Sequence, residues 1–155
     1  MNYWLLKTEP GCFSFDMLKG RPEMTEHWDG VRNFQARNFL RDAIKAGDRA
    51  LFYHSSIAEP AVVGIVDVVR GGYPDFTALD PNGEHFDPKA SPSNPIWYMV
   101  DVRFRADLPR PVTLAAIRAN PLLAGMPLVN RSRLSVQPVS ADEWCIILTL
   151  GGLTP

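Results

Sequence analysis

Apolar and polar positions alternate along this chain in two rhythms. Tyr3 to Lys7 is an aromatic and apolar run closed by Thr8-Glu9-Pro10-Gly11, which predicts a first strand ended by a turn. A short helix is expected from Ser14, which can cap it, with Phe13 and Leu18 at the positions of a hydrophobic staple. Residues 21–30 read as loop. From Asn33 to Ala46 the spacing turns helical: Ala36, Phe39, Leu40, Ala43 and Ile44 fall on one stripe, and Gly47-Asp48 ends it. Arg37, Arg41 and Lys45 recur every four residues on the other side, with Phe34 among them.

Three strands are expected next. Arg49 to His54 is short. Ala61 to Arg70 is nearly continuous Val and Ile, as in a strand covered on both faces. Ile96 to Arg105 alternates, with Tyr98, Val100, Val102 and Phe104 on one side and Met99, Asp101, Arg103 and Arg105 on the other. The Gly/Pro/Asp-rich stretch 71–95 between them is longer than most structureless connections, and reads as functional or partly ordered. Thr113 should cap a short helix stapled by Val112 and Ile117, and Leu128 to Val136 should return as one or two short strands. Ser140 and Glu143 form a capping box for the last helix, with Val139 stapling Trp144. Strands and helices mix without regular βαβ alternation, so the class is α+β: a small barrel-like sheet with flanking helices.

Composition narrows the function. At 155 residues the chain reads as one domain, with 46% hydrophobic and 21% charged residues. No apolar run approaches the roughly 18 residues of a membrane helix. The opening Met1-Asn2-Tyr3-Trp4-Leu5-Leu6-Lys7 is charged too soon for a signal peptide, and a cytoplasmic location is expected. Sixteen Lys+Arg against seventeen Asp+Glu give a net charge of −1, which excludes a polybasic binder but not a local basic patch. Cys12 and Cys145 form no C-x-x-C and are expected to be separate buried thiols rather than a disulfide or a zinc site.

No phosphate loop, dinucleotide fingerprint or G-x-S-x-G elbow is present. His27, His54 and His85 share no ligand-like interval with a cysteine or carboxylate, and His27 and His85 read as surface-loop residues. His54 precedes Ser55, yet neighbours on a strand point to opposite faces, so the two should not meet as base and nucleophile. No catalytic residue, metal or cofactor is expected. The basic side of the helix from Asn33 reads either as a solvated face or as a patch where phosphates meet cations and a base meets Phe34. Arg32 and Gln35 sit at its start, where backbone N–H groups favour an anion. Trp28, in the polar loop His27-Trp28-Asp29-Gly30, reads either as a lid on the core or as one wall of a pocket for a flat ligand, with Trp97 as the opposing wall. Trp4 and Trp144 read as core. Arg131 and Arg133 suit phosphate contacts or structural ion pairs equally.

Taken together, Tyr3-Trp4-Leu5-Leu6-Lys7-Thr8-Glu9-Pro10, the block from Trp28 through Asn38 (WDGVRNFQARN), Phe52-Tyr53-His54-Ser55, Pro95-Ile96-Trp97 and Ser132 through Pro138 (SRLSVQP) resemble EVE-domain proteins, which include the thymocyte nuclear protein 1 family. The likeness spans almost the whole chain, in the family's order. It implies a PUA-like mixed β-barrel, or pseudobarrel, with helices around it, related to YTH and ASCH domains. It also implies a non-enzymatic module that reads a modified, flipped base in DNA or RNA, modified cytosine in DNA being the leading suggestion. Carried over, Trp28, Asn33 and Trp97 would form the base pocket, Thr8 and Glu9 its polar edge, and Phe34 a stacking surface. Arg32, Arg37 and Arg133 would approach the phosphates, and Arg41 joins them as a phosphate candidate from the basic side of the helix. Phe13 and Phe34 stand where the family often has tyrosine, which removes a hydroxyl from each. Three rival functions remain: a nuclease or hydrolase using Glu9, His54 or Asp101, a sensor of free nucleotides, and a structural partner domain.

Overall fold

The computed structural model describes residues 1–155. Six strands make one sheet: β1 (Tyr3–Thr8), β2 (Thr25–His27), β3 (Arg49–His54), β4 (Ala61–Pro74), β5 (Tyr98–Thr113) and β6 (Val136–Val139), in the order β2-β5-β4-β3-β1-β6. β1 and β3 are parallel, Leu5 lying opposite Leu51. The other pairings are antiparallel. β2 and β6 are edges, so the sheet is not closed into a barrel; the α+β class stands. The helices are α1 (Phe15–Lys19), α2 (Phe34–Asn38), α3 (Leu114–Ala119), α4 (Pro127–Asn130) and α5 (Ala141–Leu150). No helix is long and apolar enough to cross a membrane.

The near-continuous apolar runs of β1 and β3 have a simple cause: both strands are covered on both sides. Trp4, Leu6, Ala50 and Phe52 enter one core with Leu18, Leu40 and Trp28. Leu5, Leu51 and Tyr53 enter a second core with Ile117, Leu128, Trp144 and Ile147. Adjacent residues of a strand point oppositely, so one strand feeds both layers. The expected helix stripe is present: Ala36, Leu40 and Ile44 are buried, and Phe39 and Ala43 pack against the same core. The capping residues Ser14, Thr113 and Ser140 perform as their sequence implies, the last with Glu143 in a full capping box.

Several expectations need correction. Residues 21–30 are not all loop: Pro22–Met24 forms a 3-10 turn and 25–27 pair with β5 as an edge strand. The helix from Asn33 does not reach Ala46; after α2 it widens into a π turn over Phe39–Ala43 and ends with Ile44 extended. β4 crosses its end so closely that a Cβ on Gly72 would lie 2.4 Å from the Leu40 carbonyl oxygen and 2.8 Å from that of Arg41. Gly72→Ala is therefore expected to cost about 2–3 kcal/mol, measured by denaturant unfolding; an unchanged midpoint would contradict the close approach. As expected, part of stretch 71–95 is ordered, as the end of β4, irregularly paired with β5, and as a 3-10 turn over Phe76–Leu79. Leu128 to Val136 does not return as strands, because Pro127 opens the helical turn α4 and pairing begins only at Val136. Both cysteines are exposed, not buried. Cys12 lies in the turn after β1, and the buried Trp144, Ile147 and Leu148 turn Cys145 outward on α5.

Candidate nucleic-acid interface

The turn leaving β1 separates two cavities, and Thr8 and Glu9 line both. The larger, about 720 Å³, opens between that turn, the 26–30 segment and residues 77–85. Its apolar wall is Trp28 and Phe13, whose rings meet edge to face at 6.1 Å. Its polar lining carries five carboxylates, Glu9, Glu26, Asp29, Asp80 and Glu84, with the imidazoles of His27 and His85. Arg21 is the one arginine there, and its Nε is 2.8 Å from Glu26 Oε2. His27 is held on two sides, Nδ1 at 2.9 Å from Glu26 and Nε2 at 3.8 Å from Asp29. The exposed Phe76 ring sits 5.0 Å from the His27 ring.

A buried carboxylate fixes this cavity's walls. Asp75 Oδ2 accepts from the Gly30 N–H (2.9 Å) and from Arg32 Nη1 (3.0 Å); Oδ1 accepts from the N–H and hydroxyl of Thr77 (2.9 and 2.5 Å). Burial pushes the Asp75 carboxyl up, but the Thr77, Gly30 and Arg32 donors outweigh it and hold the group below the usual carboxylate range. Arg32 Nη2 donates to the His85 carbonyl at 2.7 Å, tying the third segment to the same point. Gly30 has φ +79, and a Cβ there would lie 2.7 Å from the His85 ring, so both its conformation and the imidazole's approach require glycine.

The expected site residues divide. Thr8, Glu9 and Trp28 meet at the larger cavity, and Arg133 lines the smaller one. The pair of facing indoles does not form. Trp28 is 6% exposed, and its ring meets Phe52 and Phe13 edge to face in the core. Trp97 is 5% exposed and lines neither cavity. Phe34 stacks on it at 4.9 Å, the Arg32 guanidinium lies 5.3 Å from its ring centre, and its Nε1 donates to Asp87 at 2.7 Å. Phe34 is thus occupied by Trp97 rather than open to a base, although it stays largely exposed. Asn33 is the cap of α2, accepting from the Ala36 N–H at 2.9 Å, and lines neither cavity.

The basic stripe is also largely engaged. Arg32 is paired with Asp75. Arg37 Nη1 donates to the Ile96 carbonyl at 2.6 Å, clamping a β-branched residue held at φ +62, a conformation such residues rarely adopt. Arg41 binds Asp42 through Nε and Nη2. These three were expected to meet phosphates, and the structure gives each a partner within the chain. His27 and His85 line the larger cavity instead of decorating a surface loop. The carboxylates of residues 26–29 and 80–84 escape sequence reasoning because they come from two separate polar segments, an edge strand with its following loop and a second loop. Asp75 carries one signal, an Asp two residues before a Thr in a turn segment.

The residues of the hydrolase reading do not converge. His54 Nε2 accepts from the Phe15 N–H at 3.1 Å, and burial lowers its pKa, so the neutral ring serves as an acceptor for α1. Asp101 accepts from the Tyr73 hydroxyl, and neither His54 nor Asp101 lines either cavity.

Residues 2–150 match the family model of the EVE domain. Human thymocyte nuclear protein 1 is 40% identical over 166 residues, covering 96% of this chain and 73% of that protein. A hypothetical protein from Leishmania major superimposes with a TM-score of 0.92 at 49% identity, covering 97% of this chain and 94% of the other. The human THYN1 protein, solved in complex with DNA containing 5-methylcytosine, superimposes with a TM-score of 0.93 at 40% identity over 100% of both chains. With the match running through both cores and both cavities, the chain belongs to the EVE-domain family.

Proposed function

We propose that this chain is a binding module for DNA carrying a modified cytosine, 5-methylcytosine in the first instance, and that the modified base swings out of its stack into the larger cavity. The observation that carries this reading is the cavity's lining: aromatic edges on one wall, and carboxylates with no free arginine on the rest. Cytosine presents an exocyclic amino donor, which a carboxylate accepts; thymine presents a carbonyl at the same place and would face like charge. The relative solved with 5-methylcytosine DNA adds support at 40% identity. Extruding a base costs a few kcal/mol, and aromatic contact returns about 1–3 kcal/mol per base. Trp28 serves here as an edge and floor, with Phe13, His27 and His85 around it. The near-zero net charge keeps sequence-independent binding weak, as a reader of modification requires.

The test titrates the protein with matched strands carrying one 5-methylcytosine or one cytosine and follows tryptophan emission. Burying one methyl group is worth about 0.8 kcal/mol, so the methylated strand should bind about fourfold more tightly. Equal affinities would overturn the reading. A free modified nucleoside that binds as tightly as the strand, without salt dependence, would make the cavity a small-molecule sensor instead.

A further inference from the structure

The smaller cavity, about 440 Å³, lies on the other side of Thr8-Glu9 and has the opposite character. It is lined by Lys7, Arg118 and Arg133, with Glu9 as its one carboxylate, and by hydroxyl residues that include Ser55 and Ser132. We propose that this cavity is the seat of the phosphodiester group adjoining the base held in the larger one, gripped by Lys7, Arg118 and Arg133; the assignment rests on the base-binding reading above.

Three observations carry it. First, Lys7 is a half-buried ammonium that touches no carboxylate. Its Nζ donates to the Ser132 carbonyl at 2.9 Å and lies 5.9 Å from the Tyr53 ring centre, which leaves donors for an oxyanion. Burial lowers the Lys7 pKa, so an arriving anion would restore what desolvation removed. Second, Arg118 and Arg133 are exposed and take part in none of the chain's ion pairs, whereas Arg32 and Arg41 are matched to Asp75 and Asp42. Lys7, Arg118 and Arg133, all outside the ion pairs, converge on the smaller cavity, whereas on α2 Arg37 is bound to the Ile96 carbonyl and beyond it Arg41 to Asp42. Third, the scaffold is fixed. The Lys7 N–H donates to the Ser135 carbonyl at 2.9 Å, Gln137 Nε2 donates to Leu134 at 2.8 Å, and Arg118 stands on the last turn of α3. A nucleotide crossing the Thr8-Glu9 wall would have its base on the carboxylate side and its phosphate on the cationic side. The charge segregation matches the polarity of the ligand.

The experiment uses the full chain, fluorescence anisotropy and strands with one 5-methylcytosine, in which the phosphate on either side of it is replaced by a neutral methylphosphonate. Replacement at the seated phosphate should weaken binding by the parent about tenfold. The double variant Arg118→Ala/Arg133→Ala, two exposed side chains whose removal spares both cores, should bind the natural strand about tenfold more weakly and, with only Lys7 left at the seat, lose much less than the parent with the methylphosphonate. Its slope of log K against log salt should be shallower by about 0.7–0.9. The preference for methylated over plain cytosine should survive in the variant. The proposal is overturned if the variant binds like the parent, or if the methylphosphonate weakens both proteins alike. If methyl preference is absent while the arginine–phosphate coupling persists, the phosphate seat stands and the base-pocket reading fails.

Discussion

Asp75→Ala is expected to destabilise the chain by about 3–5 kcal/mol, the usual consequence of removing one member of a buried charged pair. The substitution leaves the Gly30 and Thr77 N–H groups without their acceptor and strips the carboxylate from Arg32, whose Nε already lacks a partner. Gly30 and Thr77 both line the larger cavity, so surviving protein should also lose preference for a methylated strand. The native carboxyl titrates below its unfolded value, as does that of the buried Asp48, where burial is outweighed by hydrogen bonds from Asn2, Lys45 and Trp4. Stability from both groups is fully present above the unfolded carboxyl range, near pH 4, and is lost as pH falls through the lower folded values. Thermal unfolding between pH 7 and pH 3 should show this decline, and Asp75→Ala should flatten it. A variant as stable as the parent, or as acid-sensitive, would contradict the role given to Asp75.

Trp28→Ala should cost about 3–5 kcal/mol as well, by opening a cavity against Phe52 and Phe13 in the first core. Its binding consequence separates from its stability consequence in Trp28→Phe, which keeps an aromatic ring against Phe52. That variant should fold, and its remaining tryptophans should report little of the emission change produced by a methylated strand. Trp4, Trp97 and Trp144 are buried away from the larger cavity. A full emission change in Trp28→Phe would show that the ligand sits elsewhere.

The orientation of Trp97 is set by contacts through space and not by its neighbours in the chain. Its position after Pro95, opposite Trp28 in the expected pocket, left open whether the ring faced a ligand or the protein. The strained Ile96, clamped by Arg37, turns the ring toward Phe34, and Asp87 takes the indole N–H. Phe34 and Arg37 stand together on α2, far along the chain from Asp87 and Trp97, and no local periodicity announces that the two segments meet. The same holds for the basic stripe of α2. Spacing shows that Arg37 and Arg41 share a side, but not that a carbonyl and a neighbouring aspartate already occupy them.

The amino-acid order by itself determined what depends on near neighbours: the capped starts of α1, α3 and α5, the strands β1 and β3, the strand from Ala61 covered on both faces, the apolar stripe of residues 36–44, and family membership through its long motif blocks. These follow from side-chain period and capping chemistry, which act over a few residues. Only the tertiary structure decided the open sheet, the π turn forced against Gly72, and the division of the surface into a carboxylate-lined and a cation-lined cavity. Charge pairing and close approach depend on distances through space between remote segments, and those distances exist only once both cores have formed.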